Sequence, residues 1–250
     1  MEHKIHGTTL QTLEIFLDMG ETVFSQTHQM AWMTEDVNMD TNTGGGLVKG
    51  LMRSFSGASL FLTQFTAHYA QGTVAFCPRF PGTIIARRLQ PGESLICRKE
   101  TFLVAESSVH LDIFFRQQLG GGIFGGEGFI LQKVTGPGWV FLDLSGEVVE
   151  KELRPGEVLQ VHVGHVGMQD PSVQFGIRML KGFKNIIFGG EGLFVATLTG
   201  PGRIYLQSMP IINLAEEIFR HAPQESAHAK ETPGGIVGDI IGGILGGGNE

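Results

Sequence analysis

Cysteine is scarce: Cys77 and Cys97 are the two in 250 residues. Two are too few for a disulfide framework, and each reads as a small buried hydrophobe on a strand. Basic clusters are scarce as well. Arg87-Arg88 and Arg98-Lys99 stand out locally, and the formal charge is −7. That balance argues against the clustered basic face a nucleic-acid duplex requires, so no nucleic-acid partner is expected. No apolar run approaches the roughly 18 residues of a membrane-spanning helix. The opening Met1-Glu2-His3-Lys4 lacks the features of a signal peptide and of an Arg- and Ser-rich transit peptide, so a cytoplasmic location is expected. Nucleotide and nucleophile signatures are missing too. Gly44-Gly45-Gly46-Leu47-Val48-Lys49-Gly50 departs from a phosphate-binding loop, and no Gly-x-Ser-x-Gly elbow occurs. No cofactor is expected.

Glycine is what the chain has in excess. Its 37 residues follow no Gly-X-Y period, so they imply tight turns at positive φ rather than collagen. An apolar share of 42% with 17% charged residues places the chain among globular proteins.

Self-comparison organises those turns. Pro91-Gly92-Glu93, Gly125-Gly126-Glu127-Gly128 and Thr135-Gly136-Pro137-Gly138 each recur 64 residues later. The second occurrences are Pro155-Gly156-Glu157, Gly189-Gly190-Glu191-Gly192 and Thr199-Gly200-Pro201-Gly202. A longer first copy is marked by Gly20-Glu21, Ser59-Leu60-Phe61-Leu62 and Gly72-Thr73-Val74-Ala75-Phe76, with an insertion from Asp36 to Ser56. The copies fall at about 10–89, 90–153 and 154–209. Each predicts strands: Val158, Gln160 and His162 alternate with Leu159, Val161 and Val163. Runs from Phe129 to Val134 and from Trp139 to Leu144 flank Thr-Gly-Pro-Gly, which predicts a hairpin. Short strands and frequent turns predict an all-β sandwich or barrel. A helix over 211–221 is expected to cap the core, because Ile211, Leu214, Ala215, Ile218 and Phe219 share one face. The triplicated β domain therefore spans 1–221.

Residues 222–250 form a glycine-rich tail that is expected to be flexible. Ile236, Val237, Ile240, Ile241, Ile244 and Leu245 recur every four residues beside a Gly-x-x-x-Gly series. Low-complexity disorder, self-association and peripheral membrane contact are its three readings, in that order.

The string Thr41-Asn42-Thr43-Gly44-Gly45-Gly46, with the Gly-Gly-Glu-Gly and Thr-Gly-Pro-Gly turns, resembles the altered-inheritance-of-mitochondria family, number twenty-four. The resemblance covers nearly all of residues 1–220. It implies three tandem short double-stranded β-helix modules, similar to the subunit of the tryptophan-RNA-binding attenuation protein, and a homotrimer forming a ring of nine modules. It brings no reaction and no catalytic residues. Fungal relatives are associated with mitochondrial membrane organisation, a setting not transferred to a chain without a transit peptide.

Candidate sites are few. Gly126, Glu127, Gly190 and Glu191 occupy equivalent turns, where a Glu among glycines more often accepts turn amides than acts as an acid or base. His162 and His165, three apart on a strand, point to opposite faces and cannot share a metal without a bulge. His110 and Asp112 share a face but lack a third ligand. Trp32 with Met30 and Met33, and Trp139 with Phe141, are expected to fill the core. The reading is a non-enzymatic structural or interaction protein assembling as a homo-oligomeric ring, with protein or peripheral membrane contacts through the tail. The alternative is a small-ligand module with a pocket between repeats or at the oligomer axis. An enzyme using Glu127, His162 or Asp112 would need those residues to converge.

Overall fold

The structure is a computed structural model that describes residues 1–26, 29–41, 62–117, 128–179, 194–211, 213–215 and 218. These form an all-β body, as the turn spacing predicts. The strands open with β1 (Glu2–His6), β2 (Thr12–Leu17), β3 (Thr22–Gln26), β4 (Met30–Met33), β5 (Val37–Asp40), β6 (Leu62–Ala67) and β7 (Gly72–Phe76). Next come β8 (Gly82–Leu89), β9 (Ser94–Arg98), β10 (Phe102–Glu106), β11 (His110–Gln117), β12 (Phe129–Thr135) and β13 (Gly138–Ser145). The last are β14 (Val148–Leu153), β15 (Val158–His162), β16 (Val166–Gln169), β17 (Gln174–Met179), β18 (Phe194–Thr199) and β19 (Gly202–Gln207).

All the ladders are antiparallel and make four sheets. Their orders are β1-β2-β7-β4, β5-β6-β3-β10-β13-β8, β11-β12-β9-β16-β19-β14 and β15-β18-β17. Three apolar layers lie between them. Leu13, Ile15, Val74 and Phe76 of the first sheet meet Phe65, Leu103 and Phe141 of the second. Phe24, Phe102, Leu142 and Leu144 of the second meet Cys97, Leu111, Val134 and Met168 of the third. Ile96, Phe129, Leu131 and Ile204 of the third meet Ala196 and Leu198 of the fourth. Central strands are therefore buried on both faces, and β10, β13 and β16 read as near-continuous apolar runs rather than alternating ones.

One expectation is corrected here. The Thr-Gly-Pro-Gly segments are not hairpin turns, because β12 pairs with β11 and β9 while β13 pairs with β10 and β8. The segment is a corner between sheets. Gly138, at φ +137°, passes so close to Glu106, Ser108 and Val109 that any Cβ would collide with them. The Pro-Gly turns likewise carry the chain across, from β8 in the second sheet to β9 in the third. Helical backbone occurs at Ile211, at Asn213 to Ala215 and at Ile218, inside the expected helix. Leu214 and Ala215 are half-buried and Ile211 is exposed.

Candidate functional site

Gly126, Glu127, Gly190 and Glu191 lie outside the described residues, and so do Ile236, Val237, Ile240, Ile241, Ile244 and Leu245 of the tail. Most of the Asp36–Ser56 insertion lies outside them too, although its start forms β5.

The turn glutamates that are described act on backbone. Glu21, Glu93 and Glu157 each accept, through Oε2, the amide of the residue three before, at 2.9, 2.8 and 2.9 Å from Asp18, Gln90 and Arg154. Each of these turns also closes with an amide of the glutamate donating to the carbonyl of that same residue. The glycine before each has φ of +86°, +80° and +76° at Gly20, Gly92 and Gly156, which a residue with a Cβ seldom adopts. A second set of side chains fastens the start of the last strand of each series. Thr34 Oγ1 accepts the Thr73 amide, Glu106 the Trp139 amide and Asp170 the Arg203 amide, at 3.1, 2.8 and 2.8 Å. These polar residues hold the architecture together.

His162 and His165 depart from the alternation expected of them. A 3-10 turn over Val163–His165 follows β15, so the two rings meet edge-on with centroids 5.8 Å apart. Burial, then His165 and Arg98, hold the His162 imidazole below its usual range. His165 Nδ1 is engaged with the Gln207 carbonyl at 2.8 Å. Among the described residues no three His, Cys, Asp or Glu side chains come together as a metal site. Asp112 lies on β11 in the third sheet and His162 ends β15 in the fourth.

Two buried polar groups of the core were not singled out from the sequence. Asp143 is buried on β13, its Oδ1 without a hydrogen-bond partner among the described residues, and desolvation pushes its carboxyl up to about 7. Gln132 is buried on β12 opposite Cys97 with both amide atoms unpaired among those residues. Cys97 is a buried free thiol that desolvation pushes up to about 12, while Cys77 is free and half-buried. A shallow cleft of about 340 Å³ is lined by Glu35, Asp36, Val37, Asn38, His68 and Tyr69. It sits beside β5 and β6 of the first strand series. No helix among the described residues is long and apolar enough to cross a membrane.

The exposed apolar groups with a structural context are at sheet edges. Strand β4 ends the first sheet and β15 ends the fourth. On β4, Ala31 and Trp32 are exposed between half-buried Met30 and Met33. On β15, Val158 and Gln160 are exposed, and Leu159, Val161 and His162 are half-buried. Trp139, by contrast, stacks on Phe141 with His3 edge-on, and so meets the expectation of core filling that Trp32 does not. The sequence clue to β4 was the Met30–Met33 apolar cluster, which alone does not distinguish an edge from a core.

Comparison with known proteins places these features in a lineage. The family described as mitochondrial biogenesis AIM24 matches residues 3–209. An uncharacterised protein of Streptococcus pyogenes serotype M6 is 30% identical over 223 residues, covering 86% of this chain and 88% of that one. The crystal structure of a Streptococcus pyogenes structural-genomics target superposes with a TM-score of 0.72 at 28% identity, covering 88% of this chain and 99% of its own.

Proposed function

This chain belongs to the mitochondrial biogenesis AIM24 family, and on that premise we propose that it is a non-enzymatic structural or interaction protein. Its three tandem modules, similar to the subunit of the tryptophan-RNA-binding attenuation protein, assemble into a homo-oligomeric ring.

The observation that carries this reading is one pairing scheme used three times. Taking the second and third modules to start one strand before the copies read from the turns, as β2–β7, β8–β13 and β14–β19, the sixth strand is flanked by the first and third in each. The fifth is flanked by the second and fourth. Registers correspond as well. Leu17↔Gly72, Leu89↔Gly138 and Leu153↔Gly202 are equivalent pairs, and so are Thr22↔Thr66, Ser94↔Thr135 and Val158↔Thr199. The turn carboxylates and the polar groups at Thr34, Glu106 and Asp170 repeat at the same positions. Every one of these polar contacts stabilises a turn or a strand start, which supports an architectural role.

The modules are joined to one another by strand edges, β3 to β10 and β9 to β16. A chain that builds itself by edge pairing has assembly as its natural activity. Size-exclusion chromatography with light scattering tests the reading. The expected particle contains several 27.1 kDa chains, three for a ring of nine modules. A monomer at every concentration examined would overturn it.

A further inference from the structure

Resting on that reading, we propose that the joint between chains is an antiparallel pairing of β4 of one chain with β15 of the next. Its register is Trp32↔Val161, Met33↔Gln160 and Thr34↔Leu159. The occupant of each open edge is thus a second copy of this chain.

The argument is one of position. Within the chain, the third strand of a module pairs with the second strand of the module before it. Val104↔Ser25, Ala105↔Phe24 and Glu106↔Val23 join the first two modules, and Met168↔Cys97 and Gln169↔Ile96 join the last two. These two ladders are in the same register once the modules are superimposed. The third strands also share an irregularity, since register shifts fall between Met30 and Trp32, between Phe102 and Val104, and between Val166 and Met168. Trp32 therefore corresponds to Val104 and Met168. By the same superposition Val161 corresponds to Ser25 and Cys97.

Two strands are left over. The first module has no predecessor for β4, and the third has no successor for β15. Their exposure differs from that of their counterparts as an unfilled joint requires. Val104 is 0% and Met168 2% exposed, but Trp32 is 49% exposed. Phe24 is 1% and Ile96 0% exposed, whereas Gln160, their counterpart on β15, is exposed. A side chain crosses each joint within the chain. Gln26 Nε2 donates to the Lys99 carbonyl at 2.8 Å, and an Arg98 guanidinium N–H to the Gly164 carbonyl at 3.0 Å. His162 holds the corresponding place on β15.

Pairing β4 with β15 yields the order β17-β18-β15-β4-β7-β2-β1. This reproduces the strand order of both six-stranded sheets, with β1 added at the end. The apolar layers join first sheet to second, second to third and third to fourth, so the two open edges lie on the outer sheets of the stack and each is left for another chain. Such a head-to-tail contact closes into a ring when its rotation permits.

Disulfide trapping tests the register in a full-length Cys77→Ser background, with buried Cys97 left in place. Trp32→Cys combined with Val161→Cys, and separately Met33→Cys with Gln160→Cys, should give covalent multimers on mild oxidation, seen on non-reducing gels. Trp32→Cys with Leu159→Cys is out of register and should give far fewer. Trp32→Lys with Val161→Lys sets like charges across the joint and should lower the mass by light scattering, with the circular dichroism spectrum unchanged. A monomeric parent protein would overturn the assembly reading and this joint with it. A multimer that gives no in-register cross-link would overturn the joint alone. If the lysine variant does not fold, the cross-links decide.

Discussion

Asp143 is a buried carboxyl held far from its ordinary state. It lies on the face of β13 that carries Phe141, in the layer between the first two sheets, and its carboxyl titrates near 7 because burial disfavours the charged form. An unfolded chain returns it to about 3.9. The raised native value means that the stabilisation is complete below about pH 4 and is lost as pH rises through about 7. A shift of about three units corresponds to roughly 4 kcal/mol at most. Asp143→Asn removes the ionisation while keeping the shape. In urea unfolding, the variant is expected to gain on the parent steadily from about pH 4 to about pH 7 and to hold that advantage above it. A difference between the two that stays constant with pH would refute the assignment. The sequence offered no handle on this residue. Alternation places Asp143 opposite Leu142 and Leu144, which suggests a solvent face, and only the stacking of sheets on both sides of β13 buries it.

At the scale of the element, turns were legible and pairings were not. Gly92 and Gly156 could be placed at positive φ because Pro-Gly-Glu recurs, and local sequence decides a turn. The choice between hairpin and corner at Thr-Gly-Pro-Gly depends on contacts with distant segments. Gly200 shows why the corner needs glycine there: a Cβ would stand 2.4 Å from the Arg154 carbonyl oxygen and 2.7 Å from that of Leu153. Backbone atoms cannot swing aside as a side-chain end can. Gly176, within β17, has nothing within 4 Å of its Cβ position and no positive φ. Gly200→Ala is therefore expected to cost about 1–3 kcal/mol, and Gly176→Ala to be neutral or to stabilise by about 0.4–1 kcal/mol. Paired denaturant melts compare them, and equal effects would contradict the packing argument. The same limit applies to His162 and His165. A period of two continues correctly through β15, but it has no means of anticipating the 3-10 turn that brings their rings together.

For the whole molecule, the proposed assembly makes it a question which part of the chain would drive association. Two regions compete: the sheet edges of the β body and the residues after 221, where Ile236, Val237, Ile240, Ile241, Ile244 and Leu245 alternate with glycines. A helix built on that tail would lose about 1 kcal/mol at every glycine relative to alanine, so it has little stability of its own to contribute to a contact. Edge pairing has the opposite balance. Strands β4 and β15 are already held in extended form by β7 and β18, so little further chain ordering opposes their union. The candidate site was half legible for the same reason. Turn motifs 64 residues apart could be read from the sequence, but which strands end a sheet follows from pairing between distant segments, which leaves no local signature. A chain ending at His221 is therefore expected to keep the mass of the full-length particle in light scattering, at matched concentration. A fall to the monomer on removing residues 222–250 would move the source of association from the β body to the tail. Retention of mass in the truncated chain, together with its loss in Trp32→Lys with Val161→Lys, would locate that source in the sheet edges.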